Sequence, residues 1–150
     1  IDSTFRKEFE QGRTSLLEVG RNSQNQLDEI YFFSPISGII SAPFDPMKAH
    51  FGVDIVAEEN EPVKSVANGT VILSSWTQDA GYVVAIQHQS DVISVYKHNS
   101  TLMHEEGDYV GAGEVVAIIG NTGEYTTGPH LHFELWYSGN PVNPEEFVSF

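Results

Sequence analysis

From Tyr31 onward, apolar residues come in short runs cut at close intervals by turn-forming clusters such as S-P, N-G, A-G, E-G, N-T-G and S-G-N-P. Short apolar runs bounded by glycine, proline and small polar residues predict strands, since a helix would need a longer stretch with a repeat of 3.6. The runs place strands over 38–42, 52–57, 62–75, 82–87, 93–98, 115–120 and 131–137. Helical periodicity is nearly absent among them. A mainly β fold follows, an antiparallel sheet of sandwich or barrel-like form, with functional residues gathered on one sheet and its bordering loops.

The first 30 residues have a different texture. Residues 2–19 are charged, carry Phe5 and Phe9 at helical spacing and are interrupted by Gly12, which predicts a short amphipathic helix. A helix of about three turns is marginal alone, so it is expected to pack on the domain itself, on a partner, or in a coiled coil of a longer protein. Residues 20–29 form a polar bridge with little core potential. The chain thus divides into a helical segment and linker, 1–30, and a β domain, 31–150. It opens at Ile1 without a methionine, so a fragment or processed product is expected, with any export signal or membrane anchor lying outside it.

A length of 150 residues is about one domain, enough to bury a single sizeable core. Seven basic against 21 acidic side chains leave a net charge of −14, which argues against nucleic acid or an anionic membrane surface as principal partner. A neutral or cationic ligand is easier to accommodate, although acidity also serves solubility alone. Cysteine is absent, so no disulfide, thiolate nucleophile or Cys-type metal site exists. Imidazole and carboxylate remain as the groups able to hold a metal.

Those groups concentrate in A-H-F-G-V-D-I, G-P-H-L-H-F-E and Y-K-H-N. His130 and His132 lie two apart in the strand-like run L-H-F-E-L-W-Y, so their side chains share one face and can converge on one ion. His50 and Asp54 would be roughly 13 Å apart along a straight strand at about 3.3 Å per residue, too far for a common metal. The chain must therefore bend between them. Gly52 is the expected place, because glycine reaches backbone angles closed to its neighbours. Two imidazoles and one carboxylate form a ligand set of catalytic zinc, with a fourth position left for water or substrate. Which member of the H-x-H pair binds metal stays open at this level. Each stretch taken singly is more often structural; their co-occurrence carries the reading. His98 alone would be a satisfied polar residue beside Tyr96, and His88 and His104 lack such context and are expected at the surface.

Two glycine patterns point elsewhere and are set aside. The stretch G-D-Y-V-G-A-G-E-V-V-A-I-I-G has no following helix, so it reads as tight turns and not as a dinucleotide site. That stretch and E-P-V-K-S-V-A-N-G-T-V-I resemble strand-turn units of biotinyl and lipoyl carriers, but neither presents the carrier lysine.

Over 33–148, about three quarters of its length, the chain resembles the lysostaphin-like zinc metallopeptidases, the LytM-type endopeptidases of bacterial cell walls. The resemblance rests on H-F-G-V-D, Y-K-H-N and P-H-L-H-F-E-L, on the turn G-N-T-G-E-Y-T-T-G leading into the H-x-H strand, and on the ending P-V-N-P-E-E-F. It implies the lysostaphin-like peptidase fold, with His50, Asp54 and His132 as ligands of Zn2+ and His98 and His130 as the catalytic pair. Water activated by zinc would be the nucleophile, His130 the general base and acid, and His98 the group that orients the water or stabilises the oxyanion. The implied substrate is peptide bonds of bacterial peptidoglycan, in an extracytoplasmic setting such as the periplasm or envelope. The acidic surface favours stem-peptide cross-links over glycine bridges, since it would repel anionic wall polymers. Some relatives have lost ligands and only regulate other wall enzymes. The intact five-residue set argues for an enzyme, with a silent wall-binding module or regulator as the alternative.

Overall fold

The computed structural model describes residues 27, 29–121 and 128–150. The helix expected over 2–19 lies outside the described residues. Among these, ten strands run in chain order: β1 Ile39–Ala42, β2 Val53–Val56, β3 Pro62–Lys64, β4 Gly69–Thr77, β5 Gly81–Gln87, β6 Val92–Leu102, β7 Tyr109–Val110, β8 Val115–Ile119, β9 His130–Tyr137 and β10 Asn140–Val142. Two single 3-10 turns, Pro46–Lys48 and Pro144–Glu146, accompany the strands.

Each of the seven predicted runs contains strand, but 62–75 contains two. The chain leaves the sheet between β3 and β4, where Ser65 Oγ donates to the Ala67 carbonyl and the Val66 N–H donates to the Tyr96 hydroxyl. Val66 is fully buried all the same. An apolar pattern reports burial, and a buried turn keeps it as well as a strand does. The short strands β7 and β10 were not predicted. They exist through pairing with β4 and β9, which two or three residues cannot announce locally.

Every strand pairing is antiparallel, along the path β1-β2-β9-β6-β5-β4-β7, with β10 also on β9 and β8 joining β3 to β6. The registers sort side chains between faces. One face of β2, β6 and β9 carries Val53, Ile55, Tyr96, Leu131, Phe133 and Leu135 into the main core, where all six are fully buried. Leu27 is also fully buried there, so the polar bridge supplies a core residue that its composition did not suggest. At about 1.5–3 kcal/mol for each large apolar side chain removed from water, this face dominates stability. The opposite face holds a smaller apolar cluster of Ala80, Val83, Ala85, Ile93, Val95 and Trp136. On the same face of β9 and β6 come His130, His132, Glu134 and Lys97.

His88 corrects the sequence expectation. It is 6% exposed, not a surface residue. Its ring lies 2.7 Å from the Asn68 carbonyl through Nδ1 and 2.7 Å from Ser94 Oγ through Nε2, and Ser94 Oγ lies 2.8 Å from the Tyr96 hydroxyl. Burial pushes the His88 pKa down to about 4, with the hydrogen bond to Asn68 opposing it. Burial also raises the Tyr96 phenol to about 12 against its hydrogen bonds. The relay is therefore a neutral, satisfied polar thread through the main core. His104 is partly exposed as expected, between Asp108 at 3.4 Å and Glu114 at 2.8 Å.

Candidate active site

β6 sets the geometry by changing partners midway. Residues Val92 to Lys97 pair with β9, whereas Asn99 to Leu102 pair with β8, and β5 follows along the other edge. His98 sits at the fork. Opposite β5 the register passes from Val84↔Tyr96 to Tyr82↔Asn99, so Lys97 and His98 together face a single residue, a β-bulge. His98 takes φ +68, a left-handed conformation uncommon for a side chain other than glycine. Its N–H donates to the Ala80 carbonyl at 2.7 Å. Asn99, fully buried, donates through Nδ2 to the Tyr82 and Tyr96 carbonyls, both at 3.0 Å, and so clamps the bulge from both strands. Strict alternation would have sent His98 to the face opposite Lys97. The bulge turns it back, to 5.0 Å from the His130 ring and 6.3 Å from the His132 ring.

β2 and β9 supply the rest. Asp54 lies directly opposite His132, so the two share a face by register alone. His50 precedes β2 in a loop closed by a bridge to Asp45, and its Nε2 comes within 3.1 Å of Asp54 Oδ2. The predicted loop-to-strand transition is present, but Gly52 serves it in a different way than expected. Its φ is not among the positive ones. A Cβ at Gly52 would lie 2.5 Å from the Phe133 carbonyl and 2.9 Å from His132 Nε2. Space, not backbone freedom, requires glycine there.

One ligand atom from each of His50, Asp54 and His132 lies within 4.8 Å of the others, and His130 is outside this group. The five predicted residues are thus brought together in two sets: His50, Asp54 and His132, with His98 and His130 beside them. The donor set, two imidazole nitrogens and one carboxylate, fits a divalent zinc with an open position. Ring orientation fits as well. The Pro43 carbonyl accepts from His50 Nδ1 at 2.7 Å, leaving Nε2 with its lone pair toward Asp54. His132 Nδ1 is 2.7 Å from Asp54 Oδ1, while its Nε2 is 2.8 Å from Glu134 Oε2. Burial alone would lower the His132 pKa, but its bonds to Asp54 and Glu134 outweigh that and raise it. Burial likewise opposes ionisation of Asp54, and the hydrogen bond and charge of His132, with the charges of His50 and His130, still bring its pKa below the usual value.

Glu134 is the residue that sequence reasoning passed over. It is 5% exposed, accepts from His132, from Lys97 Nζ at 3.0 Å and from Trp136 Nε1 at 2.9 Å, and is held ionised against its burial. Its position two residues after His132 on a strand was a signal, since residues two apart share a face. Nothing local announced Lys97 or Asn99. The group opens into a groove of about 470 Å³ lined by His50, Phe51, Asp79, Val83, His98 and Trp136 among others.

With this geometry in hand, comparison with known proteins places the chain. The model of peptidase family M23 matches residues 48–144. The DD-carboxypeptidase/endopeptidase Mpg of Neisseria meningitidis serogroup B is 38% identical over 97 residues, covering 65% of this chain, and the chain spans only 22% of the length of that relative. Among solved structures, a zinc-containing peptidase from Vibrio cholerae superposes with a TM-score of 0.70 at 30% identity, over 77% of this chain and 39% of that one. Lysostaphin from Staphylococcus simulans superposes with a TM-score of 0.64 at 28% identity, over 73% and 48%.

Proposed function

The chain belongs to peptidase family M23, and on that footing we propose that it is a zinc-dependent endopeptidase acting on peptide bonds of bacterial peptidoglycan. The observation that carries the proposal is the convergence of His50, Asp54 and His132 within 4.8 Å beside the His98–His130 pair, with His50, His98 and His132 lining one groove. His50, Asp54 and His132 would hold the zinc, which would supply Lewis acidity toward a carbonyl oxygen and make a water easier to deprotonate at neutral pH.

His130 donates through Nδ1 to the Gly128 carbonyl at 2.8 Å, which leaves Nε2 as its basic atom. Gly128 is itself tied back, its N–H donating to Asn121 Oδ1 at 3.2 Å. His130 Nε2 accepts the proton of the attacking water and returns it to the leaving amine. His98, aimed by its bulge, orients that water or stabilises the oxygen that gains charge at the tetrahedral stage. Phe51, Val83 and Trp136 give the groove apolar walls that exclude water around an extended peptide.

The substrate proposed is the stem-peptide cross-link in preference to a glycine bridge. A net charge of −14 disfavours contact with anionic wall polymers, and the Neisseria relative is named a DD-carboxypeptidase/endopeptidase. The workplace is then outside the cytoplasm, in the periplasm or envelope, with residues 31–150 as the catalytic unit. The test offers purified cross-linked dimers and glycine-bridged muropeptides side by side, with chelator and with zinc restored, read by mass spectrometry. Cleavage of the dimers that chelator stops and zinc restores is expected. No cleavage by a chain that holds one zinc would overturn the enzymatic reading in favour of a silent regulator.

A further inference from the structure

Three histidines of the site have their far nitrogen held, but not by the same kind of group. His50 and His130 each donate to a backbone carbonyl, of Pro43 and Gly128. His132 alone meets a carboxylate, and a buried one. Glu134 receives three donors: His132 Nε2 and Lys97 Nζ on Oε2, and Trp136 Nε1 on Oε1. The sheet register makes this arrangement rigid, because Lys97 lies opposite His132, Val95 opposite Glu134 and Ile93 opposite Trp136 on adjoining strands. Burying a carboxylate is unfavourable unless it is paired and hydrogen-bonded. Nothing in the hydrolytic reaction as derived above uses it.

We propose that Glu134 is a positioning residue for zinc: by accepting a hydrogen bond from the Nε2–H of His132 it fixes the ring so that Nδ1 carries the lone pair facing Asp54 and His50. This rests on the zinc reading of the site. Lys97 and Trp136 keep the carboxylate from swinging toward the metal position itself, where it would compete as a ligand. The charge on Glu134 also makes the His132 imidazole a stronger donor than a carbonyl partner would. A glutamine at this position cannot replace it. Its amide nitrogen would confront one of the three N–H donors, and the charge would be gone.

The test uses the full chain and no substrate, with zinc itself as the probe. Its dissociation constant is read by competition with a chromophoric chelator for the wild type, Glu134→Gln, Glu134→Asp and, as a reference, His98→Ala. Glu134→Gln is expected to weaken zinc by about 10–100-fold, Glu134→Asp to recover part of that loss, and His98→Ala to match the wild type. A folded Glu134→Gln chain with wild-type affinity would overturn the proposal. Long-range nitrogen–proton NMR spectra of the zinc-loaded wild type supply a reading that needs no variant. A proton on His132 Nε2 is expected, and a proton on Nδ1 sinks the assignment even if Glu134→Gln fails to fold. A wild-type chain that binds no zinc would overturn this proposal and the zinc reading together, whereas unchanged affinity in Glu134→Gln removes this one alone.

Discussion

His88 makes stability depend on pH in a way that can be isolated. Its pKa falls from the ordinary 6.5 to about 4 on folding, chiefly through burial. Below about pH 6.5 the unfolded chain binds a proton that the folded chain refuses, so stability drops as pH falls toward about 4 and this contribution then levels off. Integrating the proton difference between about pH 7.5 and about pH 4.5 gives a loss of about 2.5 kcal/mol from this one side chain. Asp54 and Glu134, whose pKa values are lowered from the ordinary 3.8 and 4.5, lose their stabilisation as pH falls below those values, at the acid end of the series and beyond. Comparison with His88→Gln cancels them. The variant should be the less stable by about 1–3 kcal/mol near pH 7.5, since it disturbs two buried hydrogen bonds, and the gap should close by about 2.5 kcal/mol near pH 4.5. Urea unfolding of both proteins across the pH series measures the gap directly. A gap that stays constant to within about 0.5 kcal/mol would show that His88 is not held neutral, and the reading of the buried relay would fail.

Three further outcomes are expected. His98→Ala and His130→Ala should each lose at least about 100-fold in turnover yet keep zinc by metal analysis, and loss of zinc from either would overturn the division of roles. Asp54→Ala removes one of three donors, so its zinc content after dialysis should fall well below one per chain; full occupancy would remove Asp54 from the ligand set. Gly52→Ala drives a Cβ to 2.5 Å from the Phe133 carbonyl and should destabilise by about 1–3 kcal/mol. Gly111→Ala, whose Cβ meets nothing nearer than 3.8 Å, is the control, and equal urea midpoints for the two variants would refute the packing account of Gly52.

The β character of the chain was written locally, in apolar runs and turn residues, because strand burial alternates with period two and turns need particular side chains. The same runs overreached at Ser65 to Asn68, where a buried turn kept the apolar pattern, and missed β7 and β10, which owe their existence to their partners. His50, Asp54, His130 and His132 were legible as candidates from residue type and spacing, and His98 through the resemblance to the family. His88 was misread, since a histidine between Gln87 and Gln89 carries no local sign of the core thread from Asn68 to Tyr96 that receives it.

What only the tertiary structure decided is how those candidates face one another. Register places Asp54 opposite His132 and Lys97 opposite His132 across strands far apart in the chain. The fork and bulge of β6 aim His98 at His130, through Asn99 and Ala80, against the alternation its sequence position implies. The grouping of His132, and not His130, with His50 and Asp54 is likewise a product of strand pairing. Sequence determines which groups are available and which face of its own strand each takes. Their separations in space depend on pairings with residues tens of positions away, and these are set by the packing of the whole sheet.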